Sequence, residues 1–153
     1  MSTAAGTTAS PDVAVLVDVA RDLVGVALRS IAPEPVSAAQ FRLLLLLHED
    51  GRMPSAAAAR SLGVAPSSIT RVTVRLANAG LLERGSDPSH RGAVSLALTA
   101  TGAALVARVL GRRYSELEAV LENLPEQARH DCVAGLDSLR AGLPSDRSIG
   151  GIW

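Results

Sequence analysis

The chain has 153 residues, which is enough for one domain with a substantial core but not for two comfortable ones. It is 48% apolar but only 2% aromatic, so Leu, Val and Ala must do most of the packing, and this favours a mainly helical protein. The longest apolar run, residues 43–47, excludes a membrane span. The polar N-terminus and the single cysteine predict a cytoplasmic protein without a disulfide framework.

The first predicted helix is unusually apolar. Residues 1–9 are small and polar and are expected to be disordered, whereas Ser10 followed by Pro11 is typical of a helix N-terminus. The helical pattern then continues to about Ala32, just before Pro33. Because apolar side chains cover more than one face, this helix needs a second surface to bury it, and another subunit is the natural candidate.

Two shorter helices are expected next. Ser37 and Gln40 have the spacing of a capping box and predict the start of the second helix, which ends at Gly51. A short link leads to Ser55, the expected cap of a brief third helix that ends at Gly63.

A fourth helix and a β-hairpin follow. Pro66 opens this helix and Gly80 closes it. Turn-forming residues at 86–92 then separate two apolar segments, and the second segment alternates with the strand period of two. Two short helices and a hairpin in this order predict a winged helix-turn-helix.

Two long helices complete the predicted fold of about six helices. Thr99 caps the first, which reaches about Leu124, and Pro125 opens the second. The fold class is therefore mainly α with a small β-hairpin wing. The expected division is a disordered tail (1–9), a helical dimerisation region (10–36 plus 99–143), a winged helix-turn-helix head (37–98) and a flexible tail (144–153).

The zero net charge conceals a segregation of charges along the chain. Residues 1–51 hold three Arg and six acids, residues 52–113 nine Arg and two acids, and residues 114–153 three Arg and seven acids. The corresponding net charges are −3, +7 and −4, and no lysine is present. Guanidinium groups suit bidentate contacts to phosphates and bases, so the basic middle third favours a nucleic-acid partner.

The fourth helix carries the clearest functional pattern. Its apolar stripe, formed by Ile69, Val72, Leu76 and Ala79, is expected to seat it on the preceding helix. The opposite face contains no acid and consists of Ser67, Ser68, Thr70, Arg71, Val74, Arg75 and Asn78. Such groups fit a DNA major groove, because Arg can bridge guanine acceptors, hydroxyls can reach bases or phosphates, and Val can meet a thymine methyl. Pro66 and the free amides of the first turn are expected to face phosphate oxygens.

The tip of the hairpin is the expected second DNA contact. Arg91 is placed to enter a minor groove, beside His90 and Gly92.

From about residue 13 to residue 143 the sequence resembles regulators of the MarR family. Gly80-Leu81-Leu82 with Arg84 is similar to the family's step into the wing, and Leu98-Thr99 with Gly102 is similar to its return into helix. The resemblance implies a homodimer whose first and last helices interlock, with Arg84 among the DNA-binding residues. It also implies transcriptional control through a pseudo-palindromic double-stranded operator, usually repression relieved by a small organic ligand or by oxidation.

The wing tip departs from the family pattern, and this leaves a second function open. His90 and Gly92 stand where the family typically has Asp and Arg, so the usual minor-groove arginine is absent. The alternative function is a winged-helix dimer that acts through protein contact, as an antagonist of another regulator, with weak or no DNA binding.

The remaining candidate residues indicate no enzyme, catalytic residue, metal site or cofactor. His48, His90 and His130 do not form a metal-binding pattern, and Cys132 is expected to pack at the dimer seam rather than to sense oxidants. By resemblance, an effector pocket would lie between the head and the dimerisation helices, and the scarcity of aromatic residues favours an aliphatic pocket or none. Its expected wall residues are Phe41, Leu45, His48 and Tyr114, with Arg21 or Arg42 as the partner of an anion.

Overall fold

The computed structural model describes residues 10–86 and 94–143, which form six helices and a three-stranded sheet. This confirms the predicted fold class. The elements are α1 (Pro11–Ile31), α2 (Ala38–Asp50), β1 (Met53–Pro54), α3 (Ser55–Leu62), α4 (Pro66–Asn78), β2 (Leu82–Ser86), β3 (Val94–Leu98), α5 (Ala100–Glu122) and α6 (Glu126–Gly142).

The caps of α1 and α2 are those that the sequence predicts. The Ser10 hydroxyl accepts a hydrogen bond from the amide of Val13 at 3.3 Å, and Pro11 is the first helical residue. At α2, the amide of Gln40 donates to the Ser37 hydroxyl at 3.3 Å, and the amide of Ser37 donates to the Gln40 side chain at 2.7 Å. These bonds satisfy amides that the helix itself leaves without acceptors.

The predicted cap of α3 is wrong, and β1 explains why. Ser55 is the first residue of the helix, Pro54 is the N-cap, and no side chain caps this end. The chain is extended up to Pro54 because Met53 and Pro54 pair with β3, so the helix starts directly after the strand. Two residues are too few to show the alternation by which a strand is recognised in a sequence.

The sheet is antiparallel in the order β1-β3-β2. β2 and β3 are the arms of the predicted hairpin, with Leu82 opposite Leu98 and Ser86 opposite Val94. β1 adds an unpredicted third strand on the other side of β3. The sheet thereby joins the segment before α3 to the segment that follows α4.

The core lies where α2 and α5 pack on α3, α4 and the sheet. Its largest fully buried side chains are Phe41, Leu43, Leu44, Thr73, Leu76, Leu96, Leu105, Val106 and Val109. Aliphatic residues dominate, as the composition requires. Within the described residues, no helix has both the length and the apolar character needed to cross a bilayer.

A close backbone contact fixes α5 against the end of the head. A Cβ atom on Gly102 would overlap the carbonyl oxygen of Leu81 and lie 3.2 Å from Cδ2 of Leu98. Just before it, the Thr99 hydroxyl donates to the carbonyl of Gly80 at 2.7 Å and accepts from the amide of Gly102 at 3.0 Å. Gly80 itself has φ +69°, which lets the chain turn out of α4. The helix therefore starts in contact with the turn that ends α4.

A polar cluster joins the end of α1 to the middle of α5, and we call it the Glu34 clamp (Ser30, Glu34, Arg108 and Arg112). The Glu34 carboxylate accepts from Nη2 of Arg108 at 2.9 Å and from Nη2 of Arg112 at 2.7 Å. Nε of Arg112 donates to the carbonyl of Ser30 at 2.9 Å. The Glu34 side chain is only 7% exposed, whereas those of Arg108 and Arg112 are 54% and 36% exposed, so the carboxylate is the shielded member of both ion pairs. The bonds to Arg108 and Arg112 lower the pKa of Glu34 to about 2.

Gly102→Ala should destabilise the fold by ~3 kcal/mol, because the added methyl group meets backbone that cannot move aside. Gly111→Ala is the matched control in the same helix, since no atom lies within 4 Å of its Cβ position. That control should be neutral or stabilising by up to ~1 kcal/mol, through helix propensity alone. Urea unfolding measures both, and equal stability of the two variants would contradict the close contact.

Because of the Glu34 clamp, the free energy of unfolding should decrease at acid pH. The folded pKa of about 2 lies below the ordinary 4.5, so the unfolded chain takes up the proton first and the stabilisation is lost as pH falls from about 4.5 towards 2. Glu34→Gln should lower the free energy of unfolding by ~1–3 kcal/mol at neutral pH, and the difference should shrink over this range. Denaturant titrations at several pH values measure it. Asp137→Asn, which alters an exposed ion pair, is the control and should change stability by less than ~1 kcal/mol.

Candidate nucleic-acid interface

The inner face of α4 holds the helix on the head. Ile69, Thr73 and Leu76 are buried, and Val72 packs partly buried beside them. The buried Thr73 hydroxyl donates to the carbonyl of Thr70 at 2.9 Å, so it enters the core without losing its hydrogen bond. Ala79, which the sequence placed on this stripe, is exposed because the helix ends at Asn78.

The outer face of α4 is open to solvent along its length. The predicted DNA-binding residues that are exposed here are Pro66, Ser67, Thr70, Arg71, Val74 and Arg75, while Ser68 is half-buried. No acidic residue occurs in the helix. The surface therefore offers hydroxyls, two guanidinium groups and one apolar side chain.

Arg71 and Arg75 lie one helical turn apart beside a shallow groove of about 280 Å³. Ser37 and Gln40 from the first turn of α2 line its other side. Neither guanidinium makes a hydrogen bond or an ion pair with any described residue. Both charges are therefore available to a partner rather than used to hold the fold.

The first turn of α4 offers fewer free amides than the sequence suggests. No side chain caps this end, but the amides of Ser68 and Ile69 both donate to the carbonyl of Ala65, at 2.9 and 3.2 Å. Pro66 has no amide hydrogen. Ser67 is the remaining donor of this turn, and within the described chain it has no acceptor.

Arg84 lies on β2 at the edge of the wing and is exposed, and none of the described residues pairs with it. Its neighbour Glu83 forms an ion pair with Arg52 at 3.8 Å, and Arg52 also donates to the Ser95 hydroxyl at 3.3 Å. The nearest acid in the sequence is therefore already paired. Arg91 and the rest of the predicted tip fall at 87–93, outside the described residues.

The charge segregation seen in the sequence overstates the basic surface of the head. Arg108 and Arg112 belong to the Glu34 clamp, and Arg113 lies over the ring of Phe41 at 5.9 Å from its centre. These three guanidinium groups hold α5 to α1 and α2. A sum of charges over residues 52–113 counts them together with the arginines of the head, because it uses only position along the chain.

Arg60 is a candidate that the sequence analysis missed. It is exposed in the last turn of α3, and no residue in the described parts of the chain pairs with it. The signal was available, since helical spacing that buries Ala58, Ala59 and Leu62 directs Arg60 outward.

The structure does not bring the expected effector-pocket residues to one cavity. Phe41 is in the core, whereas Leu45 lines a cavity of about 530 Å³ between α2 and α3, together with Arg42. Tyr114 is 65% exposed and lines a different cleft, of about 440 Å³. The pocket remains a prediction.

The other predicted residues lie on the surface of the single chain. His48 is exposed at the end of α2, and Arg21 is exposed and paired with Asp18 at 2.8 Å. Cys132 is a free thiol on the exposed α6. Over residues 10–86 and 94–143, no group of three or more His, Cys, Asp or Glu side chains could hold a metal ion.

Comparison with known proteins points to one family. Residues 36–91 match the model of the MarR family. The HTH-type transcriptional regulator YhbI of Bacillus subtilis is 32% identical over 76 residues, and this match spans 50% of the chain and about half, 49%, of the length of YhbI.

Solved structures agree over a longer part of the chain. RV1404 from Mycobacterium tuberculosis has 32% identity and a TM-score of 0.80, over 93% of this chain and 98% of that one. Apo MarR from Escherichia coli shares the fold at 24% identity, with a TM-score of 0.72, over 90% of this chain and 100% of that one.

Proposed function

The chain belongs to the MarR family, and on this basis we propose that it is a dimeric, sequence-specific double-stranded DNA-binding transcriptional regulator, acting as a repressor. The observation that carries the proposal is the outer face of α4, where Arg71 and Arg75 are exposed, pair with none of the described residues and share their helix with no acid. Relief of repression by a small organic ligand stays a prediction of the family resemblance.

The chemistry of α4 suits a major groove. Arg71 or Arg75 can bridge the two acceptors of a guanine, and Val74, 37% exposed, can meet a thymine methyl. Thr70 donates its hydroxyl hydrogen to the carbonyl of Pro66 at 2.9 Å, so towards DNA its oxygen serves chiefly as an acceptor. Arg84 is assigned to the DNA backbone beside this helix, and Arg60 is added to the proposed contacts.

The dimerisation helices support the proposed assembly. α6 buries none of its residues within the chain, although it presents several apolar side chains. On α1, too, apolar side chains are exposed well before the end that packs on α5. The exposed apolar side chains of the two helices, together with Leu143 just after α6, are Val13, Val15, Leu16, Val17, Val19, Leu23, Leu28, Val133, Leu136, Leu139 and Leu143. A patch of this extent is typical of a protein interface, and we assign it to a second copy.

Arg71→Ala should reduce affinity for the preferred duplex by ~1–3 kcal/mol and relax the preference at one base pair, because a bidentate contact to guanine is lost. Fluorescence anisotropy with duplexes selected from a randomised pool measures this at two salt concentrations. Arg140→Ala is the control, since its side chain lies on α6, is 82% exposed and pairs with Asp137.

The outcomes separate two roles for Arg71 and two functions for the protein. An equal loss on every duplex would make Arg71 a phosphate contact instead of a base reader. Failure of the unmodified protein to retain any duplex at low salt would overturn DNA binding and favour the alternative of regulation through protein contact. Wild-type affinity should fall steeply as salt rises, because phosphate contacts release counterions.

Val17→Asp should convert the dimer to a monomer, because it places a charge in the proposed apolar interface, where Val17 is 52% exposed in the single chain. Light scattering at micromolar protein gives the mass. Val64→Asp is the matched control, an exposed valine in the turn before α4, and it should leave the dimer intact. A monomeric wild-type protein would contradict the assembly.

A further inference from the structure

The Glu34 clamp lies at the base of a long unsupported helix. In α1, residues 11–23 are all exposed, and the buried residues are Val26, Ser30 and Ile31 near the other end. At 1.5 Å per residue, the unsupported part extends about 20 Å from its base. A tilt of ~10° at the base would therefore move the free end by ~3–4 Å. Contacts at the base set the direction of the whole helix.

The clamp restrains that base in more than one way. Glu34 contacts Arg108 and Arg112, which are four residues apart on α5, so it is bound across a full helical turn. Arg112 also binds the Ser30 carbonyl, and Nη2 of Arg113 reaches the Ser30 hydroxyl at 3.4 Å. Two points along α5 and two along the end of α1 are thus joined. Such a network resists rotation of one helix on the other, whereas a single contact would act as a pivot.

A second ion pair between the same helices differs in its surroundings. Arg29 of α1 pairs with Glu116 of α5, but their side chains are 63% and 37% exposed. Exposed pairs contribute little, because water and salt screen them and the side chains lose freedom. Of the two glutamates, Glu34 is the better shielded from water, since its side chain is 7% exposed and that of Glu116 is 37% exposed. This contrast provides a control on the same pair of helices.

We propose that Glu34 is a positioning residue: by holding Arg108 and Arg112 it fixes the direction of α1 relative to α5, whose first turn is held against the head, and so sets the separation of the two recognition helices in the dimer. This inference rests on the proposed dimeric DNA-binding function. Two heads can engage one operator only when their separation matches the half-site spacing, which is set by the helical repeat of DNA. A loosened clamp would let the heads sample several separations.

The first test measures the separation without DNA. A spin label at Ser67→Cys in a Cys132→Ser background reports the distance between the two α4 helices of the dimer. The otherwise intact protein should give a narrow distribution. Glu34→Gln should widen it at least twofold or shift its mean by ~3 Å, the displacement expected from the lever. Glu34→Asp, which keeps the charge, should give a distance distribution of intermediate width. Glu116→Gln should give the same distribution as the otherwise intact protein.

Two results of this measurement would overturn the proposal. One is an unchanged distribution for a folded Glu34→Gln dimer. The other is equal broadening for Glu34→Gln and Glu116→Gln. Circular dichroism checks folding, and Arg108→Gln, which removes a half-exposed partner, provides a milder variant that should shift the distribution in the same direction. If the intact protein were a monomer, that result would contradict both the proposed dimer and this inference.

The second test measures the consequence for DNA. Selected operators are lengthened or shortened by one and two base pairs between half-sites, and affinity is measured for each. Glu34→Gln should reduce the discrimination between spacings at least fivefold while nonspecific affinity stays within twofold. A uniform loss on every spacing would indicate only a structural role and would contradict positioning. If the intact protein bound no duplex, the proposed function would fail, while the distance measurement would still decide the role of Glu34.

Discussion

The close approach of Gly102 to the Leu81 carbonyl is the constraint on which the position of α5 relative to the head depends. It brings the first turn of α5 against the turn that closes α4, and Thr99 secures the same point by a bond to Gly80. The residues that follow, Leu105, Val106 and Val109, then enter the core beside α2. The helix α5 thus contacts the turn that ends α4 at its start and contributes Arg108 and Arg112 to the Glu34 clamp further along. This explains why a glycine is required in the first turn of α5, where any side chain would overlap the Leu81 carbonyl.

Local signals in the sequence predicted most of the elements because each acts over a few residues. Ser10, Ser37 and Thr99 accept amide hydrogen bonds at the starts of their helices, and Gly80 takes the left-handed conformation that ends α4. Errors arose where a distant partner decided the outcome. Because β1 pairs with β3, α3 begins at Ser55 rather than after it. The two residues of β1 are too few to show a strand pattern in the sequence.

The candidate site shows the same limit at the level of charge. Helical periodicity identified the outer face of α4, and the exposure of Arg71 and Arg75 follows the pattern that the sequence gives. Summing charge over 52–113 could not distinguish those arginines from Arg108 and Arg112, whose partner Glu34 is more than seventy residues away. Helical periodicity in α3 likewise directs Arg60 outward, since Ala58, Ala59 and Leu62 are the buried residues of that helix. The Glu34 clamp required coordinates, because no short-range pattern links a loop glutamate to a helix so far along the chain.

The exposure of α6 bears on its stability and on its susceptibility to proteolysis. None of the 17 residues of α6 is buried within the described chain, and a helix of this length with little tertiary packing is only marginally stable in water. In the proposed dimer, its order would therefore depend on mass action between copies. At low copy number the proposed dimer would dissociate and α6 would spend more time unwound and open to proteases, whereas pairing at higher copy number would protect it.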